Sequence, residues 1–442
     1  MIAALLVVAA GLTVANAVQG PRLRSADVNG QALVSKVGQR LVLRLNQPVV
    51  AVPTDGLTVV PETPFSVTTN GVALTLRFNS VLPYATTFTV SGPLVSSATG
   101  ASATLSYSFQ TPPAEAYLLQ RAGAAAPPDA PDSVVRTVLG SSAATVVHAE
   151  PGIQEYAVAG PRLAVVTVAT EGNRRLTIRD LAGTEPARTI ADGAIITQLH
   201  SSGPSGVLGF VRTAQGGSGG PNPSQLQVWD PTSDAEPTTI LGLDGQPLAP
   251  QVWTFVPGTN SIVAQIPDGT CFLVDPFGGT PIQPLGSHLT LEGFVPGTTT
   301  LVVADLDRYR SLDLSTGRSS EVGGATRPET DDLTRLVPLA GGDRFLGLLT
   351  SFNGQDISYG ISDLAGPERR PLYVAEPVGT SIQKVCLSAN GDLLAIERIP
   401  KDAVLDRNDV VPGYSGTTTV FLDIRTGEVK QSVAGAAVSW CP

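Results

Sequence analysis

Leu312-Asp-Leu-Ser-Thr-Gly317 and Leu422-Asp-Ile-Arg-Thr-Gly427 each end an alternating apolar strand on Asp and follow it with a turn closed by Gly. Arg179-Asp-Leu-Ala-Gly183, Trp229-Asp-Pro-Thr-Ser233, Val274-Asp-Pro-Phe-Gly278 and Ser362-Asp-Leu-Ala-Gly366 repeat the word, and successive Asp residues stand 50, 45, 38, 50 and 60 positions apart. Asp suits such a turn because its carboxylate accepts bonds from backbone N–H groups two residues on. A second word, Phe255-Val-Pro-Gly-Thr259, recurs as Phe294-Val-Pro-Gly-Thr298, with weaker copies at Leu339-Ala-Gly-Gly-Asp343 and Leu387-Ser-Ala-Asn-Gly391. An apolar run such as Leu393-Leu-Ala-Ile396 follows each copy. The repeating unit is therefore strand, Gly turn, strand, loop, strand, Asp turn, strand: a four-stranded antiparallel sheet used again and again.

These words resemble the blades of TolB-like and WD40-like β-propellers, which read S-P-D-G-x-x-L-A followed by L-x-x-x-D-x-x-T-G. Val-Pro-Gly stands in place of Ser-Pro-Asp-Gly in two units, and no unit carries the Gly-His and Trp-Asp pair of WD40 repeats. The resemblance implies sheets arranged around a central channel. Six Asp words make six blades. The ends suggest a seventh: Ala116-Tyr-Leu-Leu-Gln120, Ser133-Val-Val-Arg-Thr-Val138 and Ala144-Thr-Val-Val-His148 read as three outer strands, and Ala437-Val-Ser-Trp440 as an inner strand without a blade. Pairing 437–440 with strands in 116–148 closes a ring and removes two exposed edges. The expectation is a seven-bladed propeller over 113–442, with six blades as the alternative.

Upstream, Ile2 to Val18 carries no charge and ends in Ala15-Asn-Ala17, the small-x-small pattern of a signal-peptidase site. No basic residue precedes it, and at 1.5 Å per residue it reaches about 25 Å, near the lower limit for a membrane span. Residues 1–20 are expected to be a cleaved signal peptide or a retained amino-terminal membrane anchor; either places the rest of the chain outside the cytoplasm. Between 21 and 112 the chain alternates in short strands such as Arg40-Leu-Val-Leu-Arg-Leu45, Val72-Ala-Leu-Thr-Leu-Arg-Phe78 and Thr86-Thr-Phe-Thr-Val90. Leu43-Arg-Leu-Asn-Gln-Pro48, Leu82-Pro-Tyr-Ala-Thr-Thr-Phe-Thr-Val90 and Ser106-Tyr-Ser-Phe-Gln-Thr111 resemble the strand motifs of bacterial Ig-like domains from cell-surface and S-layer proteins. That resemblance implies an Ig-like β-sandwich of about seven strands. The fold class expected for the whole chain is all-β.

Composition narrows the chemistry. The chain of 442 residues is 42% hydrophobic and only 15% charged, and 28 Lys+Arg against 38 Asp+Glu leave a net charge of −10. That balance argues against nucleic acid or anionic lipid as a partner, and no basic stripe interleaved with aromatics exists. Only 4 of the 28 basic residues are Lys, which with abundant Ala hints at a GC-rich bacterial genome. Three His and three Cys leave little for metal or nucleophile chemistry, and no cofactor is expected. His148, His200 and His288 fall in three different units. Gly413-Tyr-Ser-Gly416 matches only half of the G-x-S-x-G nucleophile motif and reads as a hairpin turn.

In the propeller reading Cys386 and Cys441 sit on inner strands of neighbouring blades and can be bridged; two separately buried thiols are the alternative. Cys271, in an apolar strand, reads as a packed thiol. The longest insertion, Pro400 to Ser415, carries Asp402, Asp406 and Asp409, a candidate calcium site through carboxylate oxygens, or else a solvated loop using Asp for turn bonds. A second insertion, Thr213 to Pro223, is Gly-rich and lacks the Lys-Ser/Thr of a phosphate-binding loop. The function these features imply is an exported bacterial envelope protein, non-catalytic, that binds a protein or cell-wall component through propeller loops after Val211 and Ile399. The alternatives are a lyase or glycoside-acting propeller enzyme with its site at the channel mouth, and a structural surface-layer component.

Overall fold

The computed structural model describes residues 19–441 except 128, 142, 169–172, 214–223, 234, 327–331, 353, 355 and 366–368. The apolar segment at 2–18 and all of the second insertion beyond Thr213 lie outside the described residues. The chain is all-β, built of antiparallel sheets, and among the described residues helix is confined to one turn at Gly30–Leu33 and two short 3-10 turns. It divides into two compact units, Met1–Ala114 and Glu115–Pro442.

In the first unit a four-stranded sheet runs in the order Leu23–Val28, Arg40–Leu45, Ala73–Phe78, Phe65–Asn70, and a three-stranded one in the order Thr58–Val60, Thr87–Val95, Ser102–Gln110. Alternation assigns the faces. Leu41, Leu43 and Leu45 are buried while Arg40 and Arg44 are exposed. Leu74, Leu76 and Phe78 of one sheet share a core with Phe88, Val90, Leu105 and Phe109 of the other. The Phe78 and Phe109 rings meet with centroids 6.1 Å apart.

The second unit opens with a three-stranded sheet of Glu115–Gln120, Asp132–Val138 and Ala144–Glu150. Two four-strand orders follow and share the long strand Arg188–Ser201, which pairs with Arg174–Asp180 up to Ala194 and with Leu208–Thr213 from Ile195 onward. Four separate four-stranded sheets then occupy 252–287, 290–326, 333–374 and 381–434. The second strand of these sheets is buried on both faces, as at Leu163–Val166, Leu301–Ala304 and Leu394–Ile396, which is why those stretches read as continuous apolar runs. Each apolar core is shared by two sheets consecutive in the chain. Leu119 and Val134 pack with Ile153 and Val165, Val295 and Val302 with Leu336 and Phe345, and Leu346 and Ile361 with Leu394 and Val420. The last sheet also shares a core with the first, where Ala395, Phe421 and Val433 meet Ala116, Leu118 and Val135.

The recurring words have a common local chemistry. The carboxylates of Asp230, Asp275, Asp313, Asp363 and Asp423 each accept the N–H two residues on, at 2.8 to 3.0 Å. Asp180 instead bonds Thr184. In the two Val-Pro-Gly turns the Thr259 and Thr298 N–H groups bond the carbonyls of Val256 and Val295. Gly258 and Gly297 stand at φ 70° and 74°, the left-handed corner that follows Pro in a type II turn.

Near its carboxyl end the chain returns to the first strand of this unit. Leu119 and Ala436 exchange both backbone bonds, at 2.8 and 2.9 Å, and the Ser439 N–H reaches the Tyr117 carbonyl at 3.0 Å. The Trp440 indole N–H donates to the Glu115 carbonyl at 2.7 Å. Cys386 and Cys441 form a disulfide with Cα atoms 5.4 Å apart. Cys271 is a buried free thiol, and burial pushes it up to about 11.

Candidate functional site

A register shift recurs in the first strand of five sheets of the second unit. It falls between Ile153 and Glu155, Thr197 and His200, Leu291 and Gly293, Leu333 and Arg335, and Ile382 and Lys384. Such bulges re-aim side chains relative to strict alternation. Some of the re-aimed groups tie consecutive sheets together. The Glu155 carboxylate accepts the N–H groups of Gln198 and Leu199 at 3.2 and 3.0 Å, and Glu292 accepts that of Leu336 at 3.0 Å. Others, Arg335 and Lys384, line a cavity of about 710 Å³ together with Arg121, Gln383, Glu397 and Tyr414.

Burial governs the charges there. It pulls the Lys384 ammonium below its ordinary range, with Arg335 adding to the effect and Glu397 opposing it. It raises the Glu397 carboxyl against the Ala437 N–H bond and the Lys384 and Arg121 charges. Burial likewise raises Glu155, which feels Arg121 and Lys384. The Tyr156 hydroxyl donates to the Ala437 carbonyl at 2.7 Å, and the Ala437 N–H donates to Glu397 at 2.8 Å. Ala437 has φ 52°, a left-handed conformation for a residue with a Cβ, and these two bonds hold it there.

The Pro400–Ser415 insertion forms one wall of this cavity through Val411 to Tyr414. It is a small hairpin, with Leu405 bridged to Tyr414 and the Asp406 N–H bonded to the Gly413 carbonyl at 2.9 Å. Three arginines fasten it. Arg121 donates to Asp406 at 2.6 Å, to the Val411 carbonyl at 2.7 Å and to the Gln154 carbonyl at 2.6 Å. Arg174 pairs with Asp409 at 2.6 Å, and Arg407 bonds the carbonyls of Ala124 and Ala126, both at 2.7 Å. Burial would raise the Asp406 carboxyl, but the Arg121 guanidinium and nearby backbone N–H groups outweigh it and hold the group low. Gly413 is required at the latch, because a Cβ there would stand 2.6 Å from the Asp406 carboxylate and 3.2 Å from Arg121.

Asp402, Asp406 and Asp409, the candidate calcium ligands, take separate places in this hairpin. Asp406 is bound to Arg121, just past the strand Glu115–Gln120, Asp409 to Arg174 at the start of Arg174–Asp180, and Asp402 is exposed. Among the described residues no cluster of three His, Cys, Asp or Glu side chains forms a metal-holding group. Ser415 accepts the Val404 N–H at 2.9 Å, so its hydroxyl serves the hairpin. The histidines are dispersed. His148 lies against Arg179 and Glu150, His288 pairs with Asp305 at 2.7 Å, and His200 packs edge-on against Trp253 with centroids 4.7 Å apart. Burial lowers His200 to about 3. Sequence reasoning passed over Arg121, Arg335, Lys384 and Glu397; the one available signal was a charged residue inside an otherwise apolar strand, as in Leu393–Ile399.

No protein-family model matches the chain and no curated protein is similar to it in sequence. Among solved structures, it is similar to the β-propeller domain of the Trilobed protease from Pyrococcus furiosus, at 10% identity and a TM-score of 0.43 over 79% of this chain and 92% of that one. It is also similar to an auxiliary nutrient binding protein from Bacteroides thetaiotaomicron, at 11% identity and a TM-score of 0.32 over 86% and 95% of the two chains. Sqt1 from Saccharomyces cerevisiae gives 13% identity and a TM-score of 0.42 over 72% and 87%.

Proposed function

We propose that this chain is an exported bacterial envelope protein, an Ig-like sandwich and a seven-bladed β-propeller, that acts as a non-catalytic binding module through propeller loops. Seven blades follow if the three strands of 115–150 and the 436–439 segment make one blade beside the six four-strand orders. The core shared by the last sheet and the first supports the same count. Export rests on the uncharged Ile2–Val18 segment and its Ala15-Asn-Ala17 end.

The observation that carries the binding reading is the fastened Pro400–Ser415 hairpin. Three arginines hold a surface loop in one conformation at the wall of a large cavity. A loop held this way has already lost much of the conformational freedom that binding would otherwise cost. Replacing 402–414 with a short Gly-Ser turn is expected to abolish capture of an envelope protein or cell-wall fragment while the protein stays folded. An unchanged set of captured partners would overturn the reading.

A second reading, a lyase or glycoside-acting enzyme, draws on the convergence of Arg121, Arg335, Lys384 and Glu397 on one cavity. Sugar hydrolysis needs two carboxyl groups about 5 to 9 Å apart, and Glu397 is the one carboxylate among the lining residues. Turnover of envelope polysaccharides that Glu397→Gln abolishes would favour this reading over the first.

A further inference from the structure

The cavity wall departs from the character of the chain around it. The protein carries 38 acidic residues against 28 basic ones, yet the wall presents three cations, Arg121, Arg335 and Lys384, and one acid, Glu397. Arg121 is already committed, through two bonds to the hairpin and one to the Gln154 carbonyl. Arg335 has no carboxylate partner among the described residues. It follows the bulge of Leu333–Pro338, and Lys384 follows the bulge of Ser381–Leu387, so the two occupy equivalent register positions on the first strands of consecutive sheets. Those sheets are packed through one apolar core, which fixes the spacing of the two cations. Glu397 offsets part of this charge, but the wall stays net positive, and an anion beside Arg335 relieves the excess.

We propose that the cavity binds a small organic carboxylate, its acid group held between Arg335 and Lys384 and its body against Gln383 and Tyr414. The fork of an arginine matches a carboxylate with two parallel bonds, and an ammonium adds a point charge. At about 710 Å³ the space is far larger than a bare inorganic anion requires and falls among ligand pockets of roughly 300 to 1,000 Å³. The side-chain amide of Gln383 and the phenol of Tyr414 suit polar groups on that body. The inference rests on the second unit being a binding module and names the ligand class of its cavity. The two fail separately, because carboxylate titration reads the cavity whereas envelope capture reads the hairpin.

The test is calorimetric titration of the full, oxidised chain at pH 7 and low salt with glucuronate, citrate and glutamate, with glucose and inorganic phosphate as comparators. At least one carboxylate is expected to bind one to one, to weaken as sodium chloride is added, and to outbind phosphate and glucose by tenfold or more. Arg335→Gln and Lys384→Gln are each expected to weaken that ligand at least tenfold. Gln383→Glu, at an exposed position on the wall, sets a carboxylate beside Lys384 and is expected to do the same without risk to the fold. The proposal is overturned if none of the three acids binds, if phosphate binds as tightly as the best of them, or if Gln383→Glu leaves the affinity unchanged.

Discussion

Gly209 lies where the Trp253 ring covers its backbone, and a Cβ there would stand 2.3 Å from the indole. Gly209→Ala is therefore expected to cost about 1 to 3 kcal/mol by overpacking, read as a lower urea midpoint with an unchanged slope. The same indole packs against His200. Burial drops that imidazole from 6.5 to about 3, so in the folded chain it stays neutral while in the unfolded chain it takes up a proton below 6.5. The unfolded state then binds more protons, and stability falls as pH drops from 6.5 toward 3 by up to about 1.4 kcal/mol per pH unit. His200→Gln is expected to flatten that part of the pH–stability curve, which urea melts at pH 7, 5.5 and 4.5 will read. None of this was legible in the sequence, where His200 was one dispersed imidazole. Its environment comes from Trp253, on another sheet, which a strand pattern does not locate.

At the scale of the element, turns were legible and bulges were not. The six Asp words announced their role because a carboxylate at the end of a strand bonds locally. Asp313 does so to the Ser315 N–H at 2.9 Å and to the Ser315 and Thr316 hydroxyls at 2.7 and 2.8 Å. Asp313→Ala is expected to cost about 1 kcal/mol, measured by denaturant unfolding. Bulges leave no such mark, since the shift between Leu333 and Arg335 depends on the partner strand. Alternation alone therefore does not bring Arg335 and Lys384 to one cavity. The Pro400–Ser415 hairpin was visible as an insertion, but its fastening was not, because Arg121 and Asp406 are 285 residues apart. Gly413→Ala presses a methyl into that pair. Trypsin cleavage after Arg407 is expected to speed up roughly tenfold, as a local opening made about 1.4 kcal/mol easier would allow.

For the second unit as a whole, the alternating strands and recurring turns were enough to read a set of repeated antiparallel sheets, because each sheet repeats the same local pattern. Joining the ends is a matter of distant residues. Leu119 meets Ala436, Tyr117 meets Ser439 across 322 positions, and Cys386 is bonded to Cys441 over a separation of 55. A crosslink closing a loop of that size restricts the unfolded chain by about 4 kcal/mol in the chain-entropy account. Cys441→Ser is expected to lower stability by about 2 to 4 kcal/mol, and reductant is expected to shift the parent's thermal midpoint but not the variant's.

That same pairing sets an order on biogenesis. In the strand Glu115–Gln120, Tyr117 is synthesised 322 residues ahead of its partner Ser439. A growing polypeptide would thus keep an open, unzipped margin until Ala436 to Ser439 arrive, because a loop this long is slow to close. Copies broken off short of Ala436 would retain that bare margin permanently, marking them for proteolytic clearance while finished copies escape.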